Sequence, residues 1–345
     1  MSEMNQRYDT VVIGGGAAGL SGALALSRAR RSVLVIDGGR PRNAPASHVH
    51  NYLGREGTPP SELLSVGRAE AAAYGAEIVQ GEVVEAEKLS DGFRVVREDG
   101  SAVEARRLLV TTGLVDELPA VEGLAERWGR EVLHCPYCHG WEVRDRAVGI
   151  LAVSPMAVHQ ALLWRQWTDD VVLFRHEQAD FGDEDYERLA ARGIAVVDGE
   201  VAGLEIADDR FTGVRLAGGR VIPREALVVQ PRFTARSAVL EGLGLRPTEL
   251  EVGGQVVGTY IAADPAGATE VPGVWVAGNV ANLMEQVVGA AAAGLKAASM
   301  INMDLVDEDT RRAVEARRTP FSAEAERQVT ERVLGDRRHG LQEAR

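Results

Sequence analysis

The chain has 345 residues, 45% hydrophobic and 26% charged, with few aromatics and a formal net charge of -13. That length allows two domains with real cores, and the acidic balance argues against nucleic acid or an anionic membrane as partner, since both require a basic face. Residues 1–10 are polar and lack the apolar core of a secretion signal, and the Ala-rich stretch 287–298 is broken by Lys296 before it could span a bilayer. A cytoplasmic protein is therefore expected, in a compartment that keeps thiols reduced.

Residues 8–13 read as a short buried strand that runs into Gly14-Gly15-Gly16-Ala17-Ala18-Gly19, a G-x-G-x-x-G. A helix is predicted through about residue 30, with Ala17, Ala18, Gly22 and Ala23 small enough for close packing on a sheet. A second strand over 32–36 ends at Asp37. Together these make a dinucleotide fingerprint. Gly14 forms the turn, Gly16 lets a pyrophosphate approach the backbone at the helix N-terminus, and Gly19 permits helix–strand contact. Asp37 stands where ribose hydroxyls are bound.

Residues 38–43 and 48–54 form a loop rich in turn residues, which either wraps a ligand or crosses the surface. A helix is predicted over 61–74. Residues 76–86, 93–98 and 102–106 alternate like strands of a small antiparallel sheet, and 108–112 is a buried strand ending in Thr111-Thr112-Gly113. Residues 118–122 read as a linker into a second domain.

That domain opens on His134-Cys135-Pro136-Tyr137-Cys138-His139-Gly140-Trp141-Glu142, which holds both cysteines of the chain. Thiols three residues apart on a helical turn share a face and can close a disulfide. Pro136 suits the first helical position and puts Cys135 at the N-cap, where the helix dipole favours a thiolate. His139 titrates near neutrality and can move the protons of thiol chemistry. A zinc half-site and a structural disulfide are the competing readings. Zinc requires about four ligands, only His134 and His139 stand near, and structural disulfides are rare in cytosolic chains. A redox-active pair with no metal is the favoured reading.

Residues 146–153, 156–166 and 171–174 repeat the strand–helix–strand pattern of the N-terminus without its glycines. Ala152, Ser154 and Ala157, with Pro155 between, stand where the fingerprint requires glycine, and side chains at the first two positions obstruct a pyrophosphate. Arg175-His176-Glu177 then places an acid where the 2′-phosphate of NADP would sit. A dinucleotide fold that no longer binds NADPH is expected. Short strands over 194–201, 211–216 and 221–229 complete it. A strand over 274–277, Gly278-Asn279 and an Ala/Gly-rich helix over 284–300 follow. Residues 304–345 are charged, with Val306, Val314, Phe321, Val329, Val333 and Leu334 at roughly helical spacing, as in a solvated helical tail, a dimer contact or a lid.

The cysteine motif, the N-terminal fingerprint and the Gly278 stretch together resemble the low-molecular-weight thioredoxin reductase family over about residues 8–303. The resemblance implies an α/β chain of two Rossmann-like three-layer β/β/α domains and a homodimer. Residues 1–117 and 245–303 would form a discontinuous FAD domain, 118–244 a degenerate NAD(P)-type domain carrying the Cys-x-x-Cys, and 304–345 the tail. It implies that Gly14, Gly16, Ala17, Ala18 and Gly19 hold the FAD pyrophosphate. Asp37 would bind the adenosine ribose, with Gly38 and Arg42 beside it, and Val84 would lie near the adenine. Asn51 would lie near the flavin, Thr112 and Gly113 along the cofactor, and Gln286 and Val287 at the isoalloxazine edge. Gly278-Asn279 stands where the family has Gly-Asp, and an Asn can still hydrogen-bond the ribitol.

Two departures matter more. Thioredoxin reductases carry an Asp after the second cysteine where this chain has His139, and an intact NADPH fingerprint with a basic cluster where this chain has neither. Cys-x-x-Cys-His-Gly-aromatic-Glu with a degraded NADPH site resembles the dithiol oxidase branch, the gliotoxin- and holomycin-type enzymes. That implies a small-molecule dithiol as electron donor, dioxygen as acceptor and hydrogen peroxide as product. Cys135 would be the sulfur attacked, Cys138 the sulfur nearer the flavin and His139 the base. The alternatives are a reductase of thioredoxin or another protein disulfide, driven by NADPH or a donor such as ferredoxin, and a non-enzymatic flavin redox sensor.

Overall fold

A computed structural model describes residues 7–154, 156–178, 181–318 and 323–334; Pro155, Phe321 and most of the N-terminal stretch 1–10 lie outside them. The chain divides into two compact units, Met1–Ser299 and Met300–Arg345. The first opens on β1 (Arg7–Ile13), α1 (Ala17–Arg28) and β2 (Val33–Asp37), then α2 (Pro60–Ala73), β3 (Glu77–Gln80), β4 (Val83–Leu89), β5 (Gly92–Arg97), β6 (Ala102–Val110) and β7 (Leu114–Glu117). A second set follows: β8 (Val132–Leu133), α3 (Pro136–His139), β9 (Val148–Leu151), α4 (Ala157–Trp164), β10 (Val171–Phe174), α5 (Asp183–Ala191) and β11 (Ala195–Val197). Then come β12 (Val201–Ala207), β13 (Arg210–Leu216), β14 (Val221–Pro223), β15 (Ala226–Val229), β16 (Arg232–Ala235), α6 (Ala238–Glu241), β17 (Thr248–Val252), β18 (Gln255–Tyr260) and β19 (Val274–Val276). Helix α7 (Val287–Arg318) starts in the first unit, and α8 (Ala323–Leu334) lies in the second. The tail residues Val306, Val314, Val329 and Val333 are all exposed.

Strand β1 is rich in β-branched residues, and Val11 and Val12 are fully buried, as a central parallel strand with both faces covered requires. It pairs in parallel with β2 on one side and β6 on the other, in a sheet ordered β3-β2-β1-β6-β5-β4. The strands over 76–106 were expected to form a sheet of their own; they belong to this one instead. The expected strands 102–106 and 108–112 are a single β6. Its first residues pair antiparallel with β5, Ala102 opposite Val96 through Ala105 opposite Phe93, while it runs parallel to β1 up to Val110 opposite Ile13. β3 joins the far edge in parallel, Leu34 opposite Glu77.

β19 pairs in parallel with β6, Val274 opposite Leu108, and so carries the start of α7 to the end of the sheet where β1 finishes. There α1 and α7 meet backbone to backbone. A Cβ on Gly294 would collide with the Ala18 carbonyl oxygen, and one on Gly22 would lie 3.2 Å from the Gly294 carbonyl oxygen. The small residues of these two helices are thus explained by close packing.

The second parallel sheet has the order β11-β10-β9-β15-β8. Its core includes Val148, Ile150, Trp164 and Leu173, each fully buried and each contributing roughly 1.5–3 kcal/mol by transfer from water. β8 ends immediately before the cysteine turn. A three-stranded antiparallel sheet (β12-β13-β14) covers one face through Leu204, Phe211 and Val214. A four-stranded sheet (β17-β18-β16-β7) carries both chain crossings, β7 outward and β16 back, paired antiparallel from Arg232–Glu117 to Ala235–Leu114. Among the described residues no helix is long and apolar enough to cross a membrane.

Candidate active site

The C-terminal end of β1 builds a cradle. Gly14 has φ +105°, and a Cβ there would lie 2.5 Å from the Thr111 carbonyl oxygen. Thr111 closes the contact by donating its hydroxyl to the Gly14 carbonyl at 2.8 Å. A Cβ on Gly19 would overlap the Gly14 carbonyl oxygen and lie 2.7 Å from Thr111 Oγ1, so this glycine lets α1 seat against the strand. Gly16 differs: a Cβ there would meet nothing within 4 Å. It is the N-cap of α1, has extended backbone and offers no side-chain cap to the first helical N–H groups. Open space over uncapped amides suits a phosphate, which would accept from donors that the helix leaves unpaired.

At the end of β2, Asp37 accepts a hydrogen bond from the Gly15 N–H at 3.1 Å and lies 3.8 Å from the Arg68 guanidinium. Gly38 packs against Glu82, which pairs with Arg40 at 2.7 Å. Arg42 forks onto Asp116 with contacts of 2.8 and 2.6 Å and lies over the Phe233 ring at 5.1 Å, so its charge is already matched. Thr112 donates to the Arg236 carbonyl at 2.7 Å, and Gly113 adopts φ +73°. Across the cavity, Asn279 donates its amide to the carbonyls of Asn282, Leu283 and Glu285 at 3.1, 3.3 and 3.0 Å. A carboxylate cannot donate these bonds, so Asn at this position braces the loop that leads to Gln286 and Val287 at the start of α7.

These groups surround one cavity of about 1320 Å³, larger than the roughly 300–1,000 Å³ of an ordinary small-molecule pocket. Of the residues expected at a cofactor, Gly14, Gly16, Ala17, Ala18, Asp37 and Gly38 line it, as do Arg42, Thr112, Gly113, Gly278, Asn279, Gln286 and Val287. Gly19 lies behind the wall. Val84 does not line the cavity and is 54% exposed; its neighbour Val83 lines it instead. A bulge between Val83 and Glu85 shifts the strand there, which upsets the alternation of faces. Asn51 is not in the wall either. Its side-chain amide donates to the Tyr137 carbonyl at 2.6 Å, on the cysteine turn.

The cysteines open on the same cavity. Cys135 is the N-cap of α3 with Pro136 in the first turn, and its carbonyl accepts from the N–H groups of Cys138 and His139, each at 3.2 Å. This turn brings the two Cα atoms to 5.3 Å, and the sulfurs are joined in a disulfide. Gly140 closes it because a Cβ there would lie 2.5 Å from the Pro136 carbonyl oxygen and 2.9 Å from the Trp167 ring. Tyr137 packs edge-on against Trp167 at 5.7 Å.

Histidines stand on both sides. His134 packs edge-on against Phe233 at 5.2 Å. Burial, with the Arg42 charge adding to it, pushes its pKa down from 6.5 to about 4, so it is neutral near pH 7. Such a base binds a proton more readily in the unfolded chain. Stability should therefore fall as pH drops from 6.5 toward 4, by about 3 kcal/mol. Urea midpoints at successive pH values read this slope, and His134→Gln should flatten it; an equal slope in both proteins would remove His134 as its source. Burial also holds His139 below the ordinary histidine range, opposed by the Glu142 carboxylate and reinforced by His50.

The second sheet places its own strand–helix turn beside the cysteines, and Met156, His159 and Gln160 join the cavity wall. Where phosphate-binding glycines would stand, Ala152 and Ser154 are buried side chains. Ser154 Oγ accepts from the Met156 N–H at 3.3 Å. After β10, Arg175 pairs with Asp198 at 2.7 Å, and His176 Nδ1 accepts from the Val201 N–H at 3.0 Å.

Sequence reasoning missed Arg68, Asp116, Phe233 and Glu82, each of which acts through a partner distant in the chain that no local pattern marks. It named Glu142 in the cysteine motif but not its contact with His50.

The chain matches the family model described as pyridine nucleotide-disulphide oxidoreductase over residues 8–294. It is 31% identical to thioredoxin reductase tcpT of Claviceps purpurea (strain 20.1), over 86% of this chain and 94% of that protein. It is also 31% identical to thioredoxin reductase sirT of Leptosphaeria maculans, over 88% and 95%. The crystal structure of HlmI superposes with a TM-score of 0.84 at 46% identity, covering 92% of this chain and 99% of that one. A glycine cradle open to a pyrophosphate and a disulfide on one cavity agree with these likenesses: the chain belongs to the pyridine nucleotide-disulphide oxidoreductase family, among its thioredoxin reductase-like, FAD-binding enzymes.

Proposed function

We propose that this enzyme oxidises a small-molecule dithiol to a disulfide through Cys135 and Cys138, with dioxygen as final electron acceptor and hydrogen peroxide as product. The observation that carries the reading is a disulfide opening on the FAD cavity of a chain whose second dinucleotide turn is closed. Ala152 and Ser154 fill the place of the phosphate glycines, and Arg175 is matched by Asp198. These features support a route of electrons that does not begin with NADPH.

A substrate thiolate attacks Cys135 Sγ; the Cys135–Cys138 bond breaks and Cys138 leaves as a thiolate. The second substrate thiol loses its proton and attacks the substrate sulfur of the mixed disulfide, and Cys135 leaves as a thiolate. The product disulfide has then given up two electrons and two protons. FAD held over Gly14 and Gly16 would supply the two-electron acceptor against which the cysteine disulfide is restored, with dioxygen as the final oxidant. His139, on the cysteine turn and in the cavity wall, is the proposed base for the thiol proton.

The thioredoxin reductase names of tcpT and sirT favour a second reading, reduction of a protein disulfide. Anaerobic mixing separates the two. The oxidase reading expects dithiothreitol alone to bleach the flavin, with colour and peroxide returning on admission of air, and NADPH to bleach it at least about 100-fold more slowly. Rapid bleaching by NADPH would reverse the assignment.

A further inference from the structure

The loop between β2 and α2 leaves the sheet that carries the glycine cradle and reaches across to the cysteine turn. It is braced from within. The Val49 N–H donates to the Thr58 carbonyl at 2.8 Å, and the Gly57 N–H to the Val49 carbonyl at 2.9 Å. One Glu56 oxygen accepts from the Asn51 N–H at 2.7 Å, and the other lies 2.6 Å from His50 Nδ1. Asn51 has φ +59°, a left-handed conformation that Asn adopts more readily than most residues. With its backbone held in this way, its side-chain amide donates to the Tyr137 carbonyl at 2.6 Å, between the two cysteines.

That carbonyl needs a donor from outside the turn. A helix leaves its last carbonyls without intrahelical partners, and α3 has only 4 residues. The Cys135 carbonyl takes the Cys138 and His139 N–H groups, and the Pro136 carbonyl takes the Gly140 N–H at 2.7 Å. Among the described residues no backbone N–H reaches the Tyr137 carbonyl. The loop touches the second half of the chain elsewhere too: His50 Nε2 lies 3.4 Å from Glu142 Oε1, and a Cβ on Gly129 would lie 2.7 Å from Pro45 Cβ. We propose that Asn51 is a positioning residue for the reaction: its amide pins the Cys135–Cys138 turn to the loop and so keeps the two sulfurs at one place in the cavity. This inference rests on the reading of Cys135 and Cys138 as the route of electrons.

Two substitutions separate a donor from a packing group. Glycine takes φ +59° without strain and aspartate tolerates it, so both keep the loop backbone. Asn51→Gly deletes the side chain, and water can then bond the Tyr137 carbonyl in its place. Asn51→Asp keeps the shape, but an ionised carboxylate only accepts, and it would set an oxygen against the Tyr137 carbonyl oxygen. A donor role therefore makes aspartate the more harmful of the two. A packing role reverses the order, because glycine loses more atoms.

The experiment is amide hydrogen–deuterium exchange of the oxidised holoenzyme at pH 7, read by mass spectrometry of its peptides, together with the rate of anaerobic flavin bleaching by dithiothreitol. Exchange over residues 134–142 should quicken about threefold in Asn51→Gly and about tenfold in Asn51→Asp, the range that one hydrogen bond spans. Peptides from β1 and β6 should exchange at wild-type rates. Bleaching should slow in the same order and by similar factors, because a turn that is out of place part of the time is competent for less of it. Unchanged exchange over 134–142 would overturn the inference, as would quicker exchange that extends to β1 and β6, or glycine proving more harmful than aspartate. Bleaching at the wild-type rate in a variant whose turn exchanges faster would also overturn it. A wild-type enzyme that dithiothreitol fails to bleach, with exchange still ordered aspartate over glycine, would sink the proposed function and leave the hold of Asn51 on the turn standing.

Discussion

Cys138→Ser should purify as a yellow, folded protein whose flavin is no longer bleached by dithiothreitol, with a loss of about 10³-fold or more in the anaerobic rate. The reason is electronic. A substrate thiolate needs a sulfur–sulfur bond to attack, and the Ser oxygen cannot form one with Cys135. A loss of that size corresponds to about 4 kcal/mol of transition-state stabilisation, more than any rearrangement of neighbouring side chains would remove. The fold has little stake in the sulfur: the turn is held by the Cys138 and His139 N–H bonds to the Cys135 carbonyl, which serine preserves. Cys135 would then be a lone thiol, so a thiol reagent should label it in Cys138→Ser without prior reduction and leave the wild type unlabelled. Bleaching at the wild-type rate in this variant would mean that dithiols reach the flavin directly, and the cysteine route would fall.

What the sequence discloses of this site follows the range of the forces involved. The cradle is legible because its constraints are local. Gly14 must adopt φ +105° and Gly19 must clear the Gly14 carbonyl, and only glycine satisfies both within six residues. The cysteine turn is legible for the same reason, since Pro136 and the three-residue spacing define it. The bonds that join these pieces are not. Arg42 finds Asp116 across 74 positions and Asn51 finds Tyr137 across 86, and neither pairing leaves a periodic trace. The four-stranded sheet escaped notice because its strands β17 and β18 are half exposed and short, so neither burial nor alternation sets them apart from loops. α5 escaped because it is polar, with three acids in its first turn and Leu189 as its one buried residue. Val84 shows a limit of the family resemblance: the resemblance puts it near the adenine by position, whereas Val83, next to a bulge, is the valine that lines the cavity.

Gly16→Val should separate the cofactor from the fold. Glycine at this position has φ -76° and ψ -173°, an extended conformation that valine adopts readily, and its Cβ would contact no protein atom within 4 Å. The chain should therefore fold with a melting temperature close to that of wild-type enzyme stripped of its flavin. The two added methyl groups would project into the space over the first amides of α1, where a pyrophosphate is proposed to approach. FAD affinity should drop by at least about 100-fold, equivalent to about 2.7 kcal/mol, and the protein should purify nearly colourless. Gly19→Val, three residues on, supplies the contrast. There the first added carbon would overlap the Gly14 carbonyl oxygen and press on Thr111, both fixed by the sheet, so the loss should appear as unfolding; overpacking of this kind costs about 1–3 kcal/mol or more. Flavin absorbance of the purified proteins and thermal melts with and without added FAD distinguish the two. A Gly16→Val protein as yellow as wild type would show that no phosphate approaches the backbone at this glycine, and the placement of the cofactor along β1 and α1 would have to be abandoned.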